Sequence, residues 1–137
     1  MAARKKQKEY IFAVGRRKTS VARVRLHKGK DQHTVNSMPI GQYFPGEQLQ
    51  KLWSKPFQLT QTEGKYFITV KTAGGGKKGQ LDATIHGVAR ALAILNEEAF
   101  KPLMRKNGLL TRDPRARERR KVGTGGKARR AKQSPKR

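Results

Sequence analysis

From Tyr10 onward, hydrophobic residues alternate with polar ones at a period of two: Tyr10, Phe12 and Val14, then Ala22, Val24 and Leu26. Successive side chains of a strand point to opposite faces, so the pattern predicts two strands, with Tyr10, Phe12 and Val14 sharing one face of the first and Ala22, Val24 and Leu26 on the inner face of the second. The same alternation puts Arg23, Arg25 and His27 together on the outer face of the second strand. Between the two strands, Gly15-Arg16-Arg17-Lys18-Thr19-Ser20 reads as a basic hairpin tip, suited to phosphate contact through its three consecutive cations. A short strand is expected from His33 to Val35, and Met38-Pro39-Ile40-Gly41 reads as a turn before Tyr43 and Phe44. Leu49, Leu52 and Trp53 recur at helical spacing, and Pro56 is expected to close that helix. Trp53 belongs by this spacing to the core rather than to a base-stacking surface.

Further along, Tyr66, Ile68 and Val70 alternate with Phe67, Thr69 and Lys71, a strand that runs into a glycine-rich stretch. Leu81, Ile85, Val88, Leu92 and Leu95 then form the clearest amphipathic helix of the chain. Asp82, His86 and Arg90 fall on one face of it, four residues apart, and read as a solvated stripe. Asn96 can cap a last helix, with Glu97 and Glu98 near its positive end and Arg105, Lys106 and the Asn107-Gly108 stop at the other. Pro102 argues for a break or a later start. Adjacent helical residues point about 100° apart, so Glu97 and Glu98 cannot converge on a substrate and match the helix dipole instead. The pattern therefore predicts an α/β (two-layer α+β) domain over residues 10–111, with three or four strands, two longer helices and one short one. Residues 1–9 form a polar basic arm, and residues 112–137 an extended basic tail.

Charge sharpens this picture. The chain carries 33 Lys and Arg against nine Asp and Glu, a formal charge of +24, and such self-repulsion calls for a polyanionic partner. Residues 112–137 hold twelve of those cations against two acids, and Val122 is their one aliphatic larger than Ala. A segment of that composition cannot bury a core of its own. No run approaches the roughly 18 apolar residues of a spanning helix, and none reads as a secretory signal, so nucleic acid is expected rather than membrane. With no cysteine, disulfides, thiolate catalysis and zinc ribbons are excluded, and His27, His33 and His86 lack metal-ligand spacing. No metal, cofactor or small-molecule substrate is expected, and no catalytic residue.

The glycine stretch spells G-x-G-x-x-G through Gly74, Gly76 and Gly79. A dinucleotide fold would need a further buried parallel strand ending in an acid about 20 residues on, and the residues around Glu97 supply none. A Walker loop fails as well, because Gly79 is followed by Gln80-Leu81 instead of Lys and a hydroxyl. What remains is a strand-to-helix turn in which Gly74, Gly75 and Gly76 let backbone N–H groups approach a phosphate beside a helix N-terminus, with Lys77 and Lys78 adding charge. Such a loop suits an RNA backbone; the alternative is a plain turn with solvated lysines.

Three stretches, GRRKTSVARV (15–24), GGGKKGQLDATIHGVARAL (74–92) and GLLTRDPRARERRK (108–121), together resemble the family of small-subunit ribosomal protein number nine. The resemblance runs from Tyr10 to Arg137. It implies a fold like the second domain of ribosomal protein number five, lodged in the head of the small subunit among neighbouring head proteins. It implies a non-enzymatic, structural role supporting translation, in a bacterial cytoplasm or on an organellar ribosome. It also implies contact with small-subunit rRNA, which falls here on Arg16, Arg17, Lys18, Arg23 and Arg25, and on Gly74, Gly75, Gly76, Lys77, Lys78 and Gln80. In the tail the expected contacts are Arg112, Arg115, Arg117, Arg119, Arg120 and Lys121, then Lys127, Arg129 and Arg130. Lys136 and Arg137 match a terminal pair that reaches the anticodon stem of the peptidyl-site tRNA. The segment KARRAKQSPKR (127–137) departs from the commoner ending at Lys132 and at Ser134-Pro135, which leaves the geometry of that contact open. Two rivals need separating from this reading: a general binder of duplex DNA and RNA, and a nucleotide-dependent enzyme using the glycine loop.

Overall fold

The computed structural model describes residues 10–116, 119, 120 and 122. The arm 1–9 and the tail positions Arg117, Lys121, Lys127, Arg129, Arg130, Lys136 and Arg137 lie outside the described residues. The elements run β1 (Tyr10–Arg17), β2 (Ser20–Lys28), β3 (Thr34–Val35), β4 (Met38–Pro39), α1 (Ile40–Tyr43), α2 (Glu47–Thr60), β5 (Tyr66–Ala73), α3 (Lys77–Leu95) and α4 (Phe100–Lys106). The strands form one sheet in the order β1-β2-β5-β3-β4, antiparallel except where β3 runs parallel to β5. Helix α3 packs on β1, β2 and β5, and α2 and α4 pack on α3, which gives the α/β architecture expected from the pattern.

The inner face of β1 is the opposite of the one its large side chains suggest. Ile11, Ala13 and Gly15 pair with Leu26, Val24 and Ala22, and these are the residues under α3. Phe12 is 48% exposed and Tyr10 37%. The reason is a backbone-to-backbone approach. A Cβ on Gly15 would lie 1.7 Å from Ala83 O and 2.4 Å from Gly87 N, and one on Gly87 would lie 2.6 Å from Val24 Cγ2. Ala83, Gly87 and Ala91, spaced one turn apart and buried, are the row of α3 that admits this contact. A helix can sit this close only over small residues, so Phe12 and Tyr10 are turned outward.

The stripe Asp82, His86 and Arg90 lies at the surface, with Arg90 exposed and Asp82 and His86 half-buried, and each side chain also has a partner on β1. β1 is an edge strand, and edge strands leave backbone groups unpaired. Arg90 Nη1 donates to Val14 O at 2.6 Å, Arg16 N–H donates to His86 Nδ1 at 3.4 Å, and Asp82 lies 3.6 Å from Arg17 Nε. These side chains finish the free edge of the sheet.

Two helix boundaries also differ from expectation. Pro56 lies inside α2, which runs on to Thr60 and ends at Gln61 in the left-handed conformation. The turn that follows closes on itself through Thr60 Oγ1 and Thr62 Oγ1 at 2.8 Å. Asn96 Oδ1 accepts from Ala99 N–H at 3.1 Å, closing a turn before α4, which starts at Phe100. Pro102 therefore falls in the first turn of α4, where a missing N–H costs nothing.

The glycine crossing gives a direct test. Gly87→Ala should lower stability by about 1–3 kcal/mol in urea unfolding, and Val24→Ala should restore part of it, because the clash is with a side-chain methyl. Gly15→Ala should cost at least as much and should not be rescued by Val24→Ala, since there the obstruction is backbone. Rescue of both variants by Val24→Ala would contradict the crossing.

Candidate nucleic-acid interface

The β1–β2 turn consists of Lys18 and Thr19 alone, with Lys18 at a φ of +54°. Gly15 is part of the strand, so the hairpin tip is shorter than the basic run suggests. Because α3 crosses β1 at Gly15, the N-terminus of α3 comes up beside this tip. β5, the neighbour of β2, delivers the glycine loop to the same place, with Ala73 opposite Val21. Hairpin tip, glycine loop and helix N-terminus thus meet at one end of the domain.

Ser20 is the joint between them. It is buried, and its Oγ donates to Gly74 O at 3.0 Å. Gly74 and Gly75 have φ of +76° and +63°, the left-handed region that favours glycine. A Cβ on Gly75 would meet Ser20 Oγ at 2.2 Å, and one on Gly79 would meet it at 2.8 Å. A Cβ on Gly74 would meet Thr19 O at 2.6 Å, so three of the loop's glycines are needed to pack against the hairpin tip. Gly76, by contrast, has open space where a side chain would be. It precedes the 19-residue helix α3, and no side chain caps it. The first N–H groups of α3 are consequently available to an anion, in the positive field of the helix dipole.

Gln80 binds within the chain. Its Oε1 accepts from Tyr43 Oη and from Thr72 Oγ1, and its Nε2 donates to Gly74 O at 3.1 Å. Asn36, at a φ of +51°, completes the network by donating to Thr72 Oγ1 at 2.9 Å and accepting from Thr72 N–H at 2.9 Å. Together they hold the end of β5 and the loop that follows it. Lys77 Nζ lies 5.3 Å from the Tyr43 ring centroid, a cation–π contact.

A cavity of about 280 Å³ opens between the tip and the loop, lined by Arg17, Lys18, Thr19, Gly76, Lys78 and Asp82, among others. Lys18, Lys77, Lys78 and Arg16 are exposed around this end. Arg17 is different: its side chain is only 12% exposed and lies 3.0 Å from Asp113 and 3.6 Å from Asp82. It also donates to Arg115 O at 3.0 Å. Arg115 in turn grips Asp113 through Nε and Nη2, at 2.9 and 2.7 Å, and these hydrogen bonds hold the Asp113 carboxyl well below the usual carboxylate range. Arg17, Asp113 and Arg115 are a latch that fixes where the basic tail leaves the domain. Arg112, Arg119 and Arg120 are exposed beyond it.

His86 adds a second hold on the exit. Its Nε2 donates to Leu110 O at 3.1 Å while Nδ1 accepts from Arg16, which fits the neutral Nε2–H tautomer. Burial lowers its pKa. The bond to Leu110 O opposes this, and the cations Arg90 and Arg112 add to it.

Arg23 and Arg25 stand on the sheet face away from α3, beside Tyr10 and Phe12. Another cavity, about 430 Å³ beside His33 and Trp53, is lined by Glu47 and Glu63 with Lys51 and gathers no cluster of cations for phosphate. The sequence pattern found the tip and loop, but it missed the latch and His86. A lone Asp after a helix stop has no periodic signal, and the His86 partners are backbone atoms 24 and 70 residues away.

Among known sequences, the family model described as Ribosomal protein S9/S16 matches residues 15–137. The small ribosomal subunit protein uS9 of Maridesulfovibrio salexigens is 45% identical over 119 residues, covering 87% of this chain and 91% of that protein. Its counterpart from Solidesulfovibrio magneticus is 44% identical over 118 residues, covering 86% and 90%.

The neutral histidines set the sign of a pH effect. His33 is likewise lowered by burial, with Glu63 opposing, and its Nδ1 accepts from Ile68 N–H at 3.1 Å. A histidine depressed in the folded state stabilises above its unfolded pKa of about 6.5, and that stability is lost as pH falls through the folded value. The urea midpoint should therefore drop between pH 7 and pH 5, and His86→Gln should make the drop shallower. A midpoint that is flat or rises toward pH 5 would contradict both placements.

Proposed function

The chain belongs to the ribosomal protein S9/S16 family, and on that premise we propose that it binds small-subunit rRNA through the end where hairpin tip, glycine loop and tail exit converge. As a member it is a structural protein of the small ribosomal subunit and not an enzyme, and its partners are rRNA and other ribosomal proteins. The observation that supports the RNA contact most is the convergence itself. Segments starting at residues 16, 76 and 112 bring exposed cations and an uncapped helix N-terminus to one place. The net charge of +24 supplies the long-range attraction.

In this reading the globular part, residues 10–111, docks on the rRNA backbone through Arg16, Lys18, Lys77, Lys78 and the N–H groups after Gly76. Arg17 and Arg115 hold the exit, and Gln80 keeps the loop in shape. Arg23 and Arg25 contact RNA on the open sheet face. The tail, residues 112–137, runs on through the head of the subunit, its arginines pairing with phosphates by bidentate forks while glycines and alanines allow narrow passage. Its last residues, Lys136 and Arg137, reach the peptidyl-site tRNA. We place the protein on the ribosome of a bacterial cytoplasm, in line with its relatives.

Sedimentation of tagged protein from gently lysed cells, with the bound RNA sequenced, tests the docking. Small-subunit rRNA in stoichiometric amount is the expected result; mixed RNA or DNA would reduce the protein to a general polyanion binder. Deleting Ser134 to Arg137 should leave rRNA assembly intact and loosen peptidyl-site tRNA. Unchanged tRNA retention and reading-frame accuracy in that variant would remove the tail's assigned role.

A further inference from the structure

Among the described residues, the helices cover one face of the sheet only. On the other, the register aligns three cross-strand rows: Tyr10, His27 and Phe67; then Phe12, Arg25 and Thr69; then Val14, Arg23 and Lys71. The first row is aromatic across three strands, the second carries an aromatic and a cation, and the third carries two cations. Rows are two residues apart, about 6.8 Å along the strand. The cationic end of this face continues into Arg16 and the hairpin tip, where the proposed phosphate contacts lie. None of these positions holds an Asp or Glu.

The rings are presented, not buried. Phe12 is 48% exposed and Tyr10 37%, the two largest exposed aromatics among the described residues. His27 and Phe67 stack at 4.9 Å with 15° between their planes, and Tyr10 lies 5.6 Å from His27 at 52°. His27 Nε2 is hydrogen-bonded to Thr69 Oγ1 at 3.0 Å, which fixes that ring. Arg25 lies over the Tyr10 ring, 5.1 Å from its centroid, a cation–π contact that sets a cation among the aromatic rings of this face. Packing does not require aromatics here, since Ile11, Ala13 and Gly15 already supply the core face of β1.

We propose that this face is a stacking platform for unpaired rRNA bases, in which Tyr10 and Phe12 take the bases while Arg23, Arg25 and Lys71 hold the strand's phosphates. The proposal rests on the rRNA reading above and specifies what that RNA must look like at this surface. A duplex offers phosphates but hides the faces of its bases. Only unpaired nucleotides can use exposed rings and cations interleaved in this way. A protein partner would need acids to match the cations and would leave the aromatic row's π-faces without a specific use.

The experiment uses the full chain and measures its affinity for small-subunit rRNA and for an unstructured oligouridylate across a salt series. The variant Tyr10→Leu with Phe12→Leu keeps apolar bulk and removes the rings. It should bind both RNAs about tenfold more weakly or worse, with an unchanged salt slope, because stacking on a base releases no counterion. Tyr10→Phe with Phe12→Tyr should restore affinity. Lys18→Ala with Lys78→Ala should show the opposite signature, a shallower slope. Circular dichroism melts on each variant confirm an intact fold, and the exposed positions make this the expected outcome.

If the leucine variant binds like the wild type, the platform is overturned, and loss of a co-sedimenting subunit protein in that case would assign the face to a protein instead. A loss accompanied by a shallower slope would also overturn it, since the effect would then be charge. Failure of the wild-type chain to prefer small-subunit rRNA would overturn the underlying rRNA reading itself, a result separable from the other two.

Discussion

The crossing of α3 over β1 at Gly15 and Gly87 is the constraint on which the other features hang. With no Cβ on either residue, the helix axis comes close enough for Asp82, His86 and Arg90 to reach the edge of β1. That same approach fixes the position of the α3 N-terminus against the hairpin tip, so that Ser20 can fill the space beside Gly75 and Gly79. From there Arg17 reaches Asp113 and the tail is given a direction. Lengthening a side chain at the crossing would therefore act on the hairpin-tip end at a distance, by tilting the helix that carries it.

Electrostatics within this arrangement is divided between structure and binding. Arg17 and Asp113 pair with each other and with Asp82 and Arg115, and so contribute little net field. Arg16, Lys18, Lys77 and Lys78 face solvent at the same end and keep their charge for a partner. Acids are sparse in the chain: Asp82 and Asp113 at this end are paired with Arg17, and Glu47 and Glu63 sit with Lys51 around the cavity by Trp53 and His33.

Much of this was legible in the sequence. Period-two runs gave β1, β2 and β5, the helical period gave α3, and Trp53 fell in the core as its spacing implied. Alternation grouped Tyr10, Phe12 and Val14 on one face of β1, and a constraint of distance made that face the outer one, because only Ala13 and Gly15 fit beneath α3. The stripe Asp82, His86 and Arg90 gave no sign of its partners, which are the Arg17 side chain and backbone atoms of Arg16 and Val14 on a distant strand that no local pattern displays. The glycine motif was placed correctly at a strand-to-helix turn. What it could not reveal is that Gly75 and Gly79 pack on Ser20 while Gly76 stays open.

The claim at the centre of this account is that the hairpin-tip end of the domain faces the RNA backbone. Because the sequence lacks cysteine, a single cysteine can carry a tethered hydroxyl-radical source without interference. Placed at Thr19, on the tip, the source should cut small-subunit rRNA strongly in assembled subunits. Placed at Gln48, in the first turn of α2 beside the cavity by Trp53 and His33, it should cut weakly. Stronger cleavage from Gln48 than from Thr19 would mean that the surface at the start of α2 meets the RNA in place of the tip and would contradict the account.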